Sequence, residues 1–250
     1  MKFLVIGDSC TDVFVYGYCD RMAPAAPVPV FVADKEKSNM GMAGNVYKNM
    51  LSLGVECDLI TNKTQITKTR YVENKTNHMI MRLDSGEGSV DRIEGIEEIK
   101  YDDYDAVILS DYDKGFLTTE DIREISRLHP LVFLDTKKLI GDWAKDITYI
   151  KINEVEYEKT KHTLSDWCDE KMIVTLGSHG CRYKDKIIGV IKVEIRDLVG
   201  AGDTFLASLV YNFVKRGNIY VAIDFANECA TQVVQQRGVN TIGWIQQYDR

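Results

Sequence analysis

The 250-residue sequence predicts an α/β fold: a central, mostly parallel sheet flanked by helices on both faces, with a small β lid beside it. Three observations carry this reading. From residue 105 onward, short apolar runs alternate with stretches of helical periodicity, the rhythm of right-handed βα units. Asp8, Ser110-Asp111, Asp135 and Asn153 stand directly after such runs, at the carboxyl edge where parallel sheets bind ligands. Pro24, Pro27 and Pro29 interrupt the apolar stretches near residues 13–33, and prolines belong on edge strands rather than in a central ladder.

In chain order, residues 2–7 read as a buried strand ending at Gly7. Residues 13–16 and 28–33 read as short strands of the flanking sheet. Residues 43–53 place Val46, Met50 and Leu53 on one helical face before Gly54. Residues 55–60 form a strand. Residues 69–73 and 78–83 form a hairpin across Asn74–Asn77, so lid strands are expected within 13–33 and 67–84. Residues 106–110, 131–135, 148–152 and 172–176 are apolar strands of the main sheet. Helices are expected over 118–128, capped by Thr118 or Thr119, and over 154–161. Residues 181–184 and 187–195 read as an antiparallel pair, and 202–216 and 219–236 as the closing helices, the first stopped by Gly217. No repeat or long linker divides the chain, so one domain over 1–250 is expected.

A formal net charge of -7 argues against a general nucleic-acid binder, which needs a basic surface. It leaves room for a phosphorylated small molecule, which needs only a few local cations and backbone N–H groups. The six cysteines form no C-x-x-C pair and read as reduced thiols of a cytoplasmic protein. No apolar run approaches membrane-spanning length, and Met1-Lys2 leads into a strand rather than a signal peptide.

The chemistry centres on Asp197-Leu198-Val199-Gly200-Ala201-Gly202-Asp203-Thr204. The glycines let successive N–H groups turn toward one point, and the helix that follows adds its unsatisfied donors and positive dipole end. This makes a site for a phosphate or for charge on a transferring phosphoryl group. Asp203 beside that site is either an ordinary N-cap or a base that takes a proton from an attacking hydroxyl. The run is neither a P-loop nor G-x-G-x-x-G.

The run resembles the D-x-x-G-A-G-D-T signature of the PfkB, or ribokinase-like, carbohydrate kinases. The resemblance implies that Asp203 is the catalytic base and that Gly200, Ala201 and Gly202 form the anion hole. Gly41-Met42-Ala43-Gly44-Asn45-Val46 resembles the glycine signature that touches the sugar, with Gly41, Met42 and Asn45 as its contacts. Asn153-Glu154-Val155-Glu156 resembles the N-x-x-E motif of magnesium and phosphate handling, where Glu156 acts on the metal indirectly. Val174-Thr175-Leu176-Gly177 with Gly180, and Phe225-Ala226-Asn227, resemble the nucleotide stretches. Thr175, Gly177, Gly180 and Asn227 are the nucleotide contacts so implied.

One branch is more similar still, the D-glycero-β-D-manno-heptose-7-phosphate kinases, here in a shortened form with no adenylyltransferase module expected. Its motifs are matched by Arg21–Val30, by Thr67-Lys68-Thr69-Arg70, by Arg82-Leu83-Asp84, by Leu109–Gly115 and by Asp135-Thr136-Lys137. The implied acceptor contacts are Asp8, Asp12, Lys68, Arg70, Arg82, Asp111 and Lys114, with Lys137 toward the nucleotide. The implied co-reactants are ATP and Mg²⁺, with room for a monovalent cation, and the implied assembly is a homodimer through the lid. The chain departs from the pattern at Met42, where a second glycine is usual, at Gly44, at Thr136 in place of proline, and after residue 60, where a helix and strand are missing. Open rivals are a kinase for another sugar or sugar phosphate, a nucleoside kinase, and a silent binding protein.

Overall fold

The structure, a computed structural model, describes residues 1–236 and 238–242; the rest of the expected 1–250 domain lies outside the described residues. The chain begins with β1 (Lys2–Gly7), β2 (Ser9–Met22), β3 (Pro29–Met42), α1 (Ala43–Ser52) and β4 (Glu56–Thr61). It continues through β5 (Thr67–Glu73), β6 (Met79–Ser85), β7 (Ala106–Asp111), α2 (Thr119–Leu128) and β8 (Val132–Thr136). Then come β9 (Tyr149–Asn153), α3 (Glu154–Thr160), β10 (Met172–Thr175), β11 (Cys181–Tyr183), β12 (Lys186–Ile188), α4 (Ala201–Arg216) and α5 (Ile219–Val233).

Eight strands make the main sheet in the order β12-β11-β10-β9-β8-β7-β1-β4. Strands β4, β1 and β7 to β10 run parallel, and β11 and β12 close one edge antiparallel. Both faces are covered, which is why these strands are continuously apolar. Phe3, Val5, Ala106, Ile108 and Phe133 pack beneath α1, α4 and α5. Leu4, Ile6, Val107, Leu109, Leu134 and Ile150 pack on the opposite side with Ile122 and Ile125 of α2. Burying each such side chain stabilises the fold by about 1.5–3 kcal/mol before entropy is charged.

Helix ends follow local chemistry. Thr118 and Asp121 form a reciprocal capping box at α2. Asn218 accepts from the first N–H groups of α5. Gly217 stops α4 in the left-handed conformation. No helix among the described residues is long and apolar enough to cross a membrane.

The second sheet has the order β3-β2-β5-β6. Its first two strands are far longer than the segments 13–16 and 28–33 suggest, because β2 and β3 pair from Ser9↔Met42 to Met22↔Pro29. The middle of β3 (Asp34 to Ser38) is exposed on both sides, so it carries no apolar alternation and only the backbone ladder reveals it. Conversely, β12 ends at Ile188 rather than 195. The following residues, with no partner strand, line a cleft described below. Helix α5 ends at Val233, short of 236.

Candidate active site

Helix α4 begins at Gly200, whose φ of 82° favours glycine, and a Cβ there would stand 2.7 Å from Asn45 Nδ2. The N–H groups of the first turn have no partner within the helix and point out of its end. Asp203 lies in that turn, buried, accepting hydrogen bonds from Asn45 Nδ2 at 2.8 Å and from the Tyr112 hydroxyl at 2.7 Å. Asn49 donates to the Asn45 side-chain oxygen at 3.2 Å and accepts from Thr204 Oγ1 at 3.2 Å. The Asn45 amide is thereby oriented with its nitrogen toward Asp203. Burial pushes the Asp203 pKa up to about 6, against the lowering pull of Asn45 and Tyr112. Burial, then the Asp203 charge, holds the Tyr112 phenol well above its ordinary value, so it stays a donor.

Behind this turn the ends of β8 and β9 supply a second charged layer. Lys151 is buried and pairs with Asp135 at 2.6 Å. A Cβ on Gly202 would lie 3.0 Å from Lys151 Nζ, so the ammonium faces the glycine turn directly. Lys137 pairs with Glu156 and lies 5.1 Å from the Tyr112 ring centre. Burial lowers the Lys137 pKa, but Asp135 and Glu156 outweigh it and leave the ammonium above its ordinary value. Asn153 and Glu156 form a capping box on α3, which accounts physically for the N-x-x-E spacing. Among the described residues no group of three or more His, Cys, Asp or Glu side chains could hold a metal ion.

On the lid side, Arg70 of β5 pairs with Asp12 of β2. A Cβ on Gly41 would lie 2.1 Å from Asp12 Oδ2, so the carboxylate needs that glycine. Lys68 lies 5.7 Å from the Tyr112 ring centre, and Lys114 pairs with Glu87 at 2.7 Å. The register puts Arg82 opposite Arg70, but its guanidinium pairs with Asp84 on the exposed edge strand. Met42 has φ 59° as the cap residue of α1, and its side chain is buried with Cys10, Ile66 and Tyr112. The chain bends there as a glycine would, and the side chain fills the hinge under the lid.

Two of the expected acids, Asp8 and Asp111, have partners within the protein. Asp8 accepts from the backbone N–H groups of Tyr112, Lys114 and Phe116, so it shapes the loop after β7 instead of presenting free oxygens. Asp111 pairs with Lys138 at 2.7 Å and accepts from Thr136, tying β7 to β8.

Thr175, Gly177, Gly180 and Asn227 line a cleft of about 310 Å³ that reaches Ala201 and Gly202. Its walls are mostly apolar, from Val190, Ile191, Val193, Leu198 and Val234. Gly180 has φ 85°, and a Cβ there would meet the Ile188 carbonyl at 2.1 Å. Asn227 Nδ2 donates to that same carbonyl at 3.1 Å, so its amide holds the cleft wall. The cleft opens at the anion end of α4, a geometry suited to a base-and-sugar moiety whose phosphates run to the glycine turn.

Sequence reasoning missed Lys151 and Asn49 and gave Tyr112 no role. A lysine inside the apolar strand Tyr149–Asn153 is the signal for the first, since a buried cation needs a partner or a ligand. Asn49, one helical turn after Asn45 on the buried face of α1, is the signal for the second. Tyr112 carries no pattern of its own.

Residues 43–245 match the family described as pfkB family carbohydrate kinase. The bifunctional protein HldE of Nitratiruptor sp. is 31% identical over 304 aligned positions, covering 100% of this chain and 65% of that protein. The bifunctional protein HldE of Aliarcobacter butzleri is 30% identical, covering 99% of this chain and 64% of that protein. The chain therefore spans less than two thirds of the length of these relatives. Among solved structures, the ribokinase of Thermotoga maritima superposes with a TM-score of 0.70 at 16% identity, covering 95% of this chain and 94% of that one. A nucleoside kinase of Methanocaldococcus jannaschii superposes with a TM-score of 0.72 at 16% identity, covering 98% and 97%. At that identity the likeness establishes the ribokinase-like fold alone.

Proposed function

The chain belongs to the pfkB family of carbohydrate kinases, and from that premise we propose that it transfers the γ-phosphoryl group of ATP to a hydroxyl of a sugar phosphate. The observation that carries this is Asp203, buried at the start of α4 beside the glycine turn with a pKa pushed up to about 6. A carboxylate so placed is ionised near neutral pH and ready to take a proton.

Asp203 accepts the proton of the acceptor hydroxyl. The acceptor oxygen forms the new bond to phosphorus while the bond from phosphorus to the ADP oxygen breaks. Asn45 orients the carboxylate, and Tyr112 holds its other oxygen until an acceptor hydroxyl takes that place. The start of α4 and the Lys151 ammonium, which faces Gly202, stabilise the charge that builds on the transferring group. The mostly apolar cleft by Thr175, Gly177 and Gly180 takes the nucleoside. Mg²⁺ carried with ATP would supply charge neutralisation at the phosphate oxygens. Glu156, whose carboxylate caps α3 and pairs with Lys137, would touch a metal carried by the nucleotide only indirectly. A monovalent cation belongs to the same reading.

The acceptor read here is D-glycero-β-D-manno-heptose 7-phosphate, phosphorylated at its anomeric hydroxyl. Support comes from Lys68 and Lys114, two cations that share the Glu87 carboxylate, with Lys68 also 5.7 Å from the ring of Tyr112, whose hydroxyl meets Asp203. It comes also from the similarity to bifunctional HldE proteins. Met42 favours a second reading, another sugar phosphate, since its side chain fills the hinge beneath the sugar motif. Residues 1–250 acting as one kinase domain, a cytoplasmic setting and a homodimer through the lid complete the proposal.

The test is an ADP-release assay with ATP and a panel of sugar phosphates, run beside Asp203→Asn. Turnover should be greatest with heptose 7-phosphate and fall by about 10²–10⁴-fold in the variant. Preference for a different sugar phosphate would move the assignment to the second reading. No turnover with any sugar would leave a binding protein.

A further inference from the structure

Glu87 lies outside every motif above, yet it sits between the two lysines read as the acceptor end. Its Oε2 is 2.7 Å from Lys114 Nζ, and its Oε1 is 3.8 Å from Lys68 Nζ. The other cations around the site are answered from the framework. Arg70 meets Asp12 of β2, Lys137 meets Glu156 of α3, Lys138 meets Asp111 of β7, and Lys151 meets Asp135 of β8. Lys68 and Lys114 instead share one carboxylate on the loop after β6.

That pairing is built to exchange. Glu87 Oε1 is buried without any hydrogen-bond donor in reach, so half of the carboxylate is poorly satisfied. The glutamate side chain is 30% exposed, where an ion pair gains little and parts easily. The loop has one fixed end and one free end. Gly86 has φ 81°, and a Cβ there would strike the Gln65 carbonyl at 2.1 Å, while a Cβ on Gly88 would meet nothing within 4 Å.

We propose that Glu87 is an internal stand-in for the acceptor's phosphate, holding Lys68 and Lys114 until a phosphate-bearing acceptor displaces it. This rests on the reading that those two lysines bind that phosphate. A phosphate dianion offers the lysines more charge and more acceptor oxygens than one carboxylate, so it wins the exchange. Glu87 then swings outward on Gly88. Without a phosphate, the carboxylate keeps two neighbouring ammonium groups from repelling each other.

The experiment titrates inorganic phosphate into the whole protein by calorimetry, comparing native protein with Glu87→Gln and Glu87→Ala. Removing the competing carboxylate should lower the Kd for phosphate about tenfold or more, the factor of one charge-assisted hydrogen bond. Adding Lys114→Ala or Lys68→Ala to Glu87→Gln should cancel that gain. Unchanged or weaker phosphate binding in both Glu87 variants overturns the proposal, as does a gain that survives loss of the lysines. If the single lysine variants weaken phosphate binding while the Glu87 variants do not strengthen it, the acceptor reading stands and the stand-in falls. If neither lysine matters to phosphate at all, the acceptor reading itself fails.

Discussion

Asp203 is held between opposed demands at the start of α4. The helix end and the Asn45 amide favour its charge, while the loss of water opposes it. Its folded pKa of about 6 lies above the ordinary 3.8, so the native state binds this proton more tightly than the unfolded chain does. The group's contribution to stability is therefore present at low pH and lost as pH rises from 3.8 to about 6. At 1.36 kcal/mol for each pKa unit, the ionised form costs about 3 kcal/mol above that window. Asp203→Asn should be more stable than the native protein at pH 8 by up to that amount, and the advantage should vanish toward pH 4, as urea unfolding at the two pH values will show. In the native enzyme, kcat/KM should rise with pH through a midpoint of about 6. Met42 presents a different residue-scale conflict, a buried side chain on a backbone with φ 59°. Met42→Ala keeps the backbone strain and loses the packing, for a cost of about 2–5 kcal/mol. Met42→Gly loses one further methyl but recovers about 1–3 kcal/mol of strain. Thermal unfolding should therefore rank the glycine variant at or above the alanine variant; the reverse order would remove strain from the account.

At the scale of elements, α4 is bounded by two glycines in the same left-handed conformation, Gly200 at φ 82° and Gly217 at φ 66°. A Cβ on Gly217 would meet nothing within 4 Å, while on Gly200 it would press on the Asn45 amide at 2.7 Å. Alanine at either position should cost about 1–2 kcal/mol for the backbone conformation. Only Gly200→Ala should also lower kcat, because it moves the group that orients Asp203. Equal kcat losses in the two variants would mean that α4 acts through its stability rather than through its N-terminal geometry. The motif Asn153–Glu156 carries a related lesson. Its spacing is first that of a helix capping box, and the same Glu156 carboxylate then reaches Lys137. A local folding signal and a contact to the Lys137 ammonium thus occupy the same residues.

At the scale of the whole molecule, what was legible in the sequence was what is local or periodic. The apolar strands of the main sheet, the helix caps and the glycine turn all announce themselves within a few residues, and the βα order implies their layering. What was not legible depends on partners distant in sequence. The middle of β3 is a strand because β2 lies beside it. Asp8 and Asp111 meet backbone N–H groups and Lys138 because of how the loops after β7 and β8 fold back. Lys151 gains its place from a helix fifty residues further on. The lid poses the remaining question at this scale. Among the described residues its sheet ends in two unpaired edges, β3 and β6, and β6 exposes Met79, Met81 and Leu83. Methionine and leucine at about half exposure on an edge strand invite a partner surface. A second copy of the lid would offer a surface of matching character under the homodimer proposal. Light scattering after gel filtration should find a dimer for the native protein, and Met81→Glu with Leu83→Glu should shift it to a monomer with the fold retained. A monomer for the native protein at tens of micromolar would leave those residues without a partner in this chain and turn attention to another protein surface.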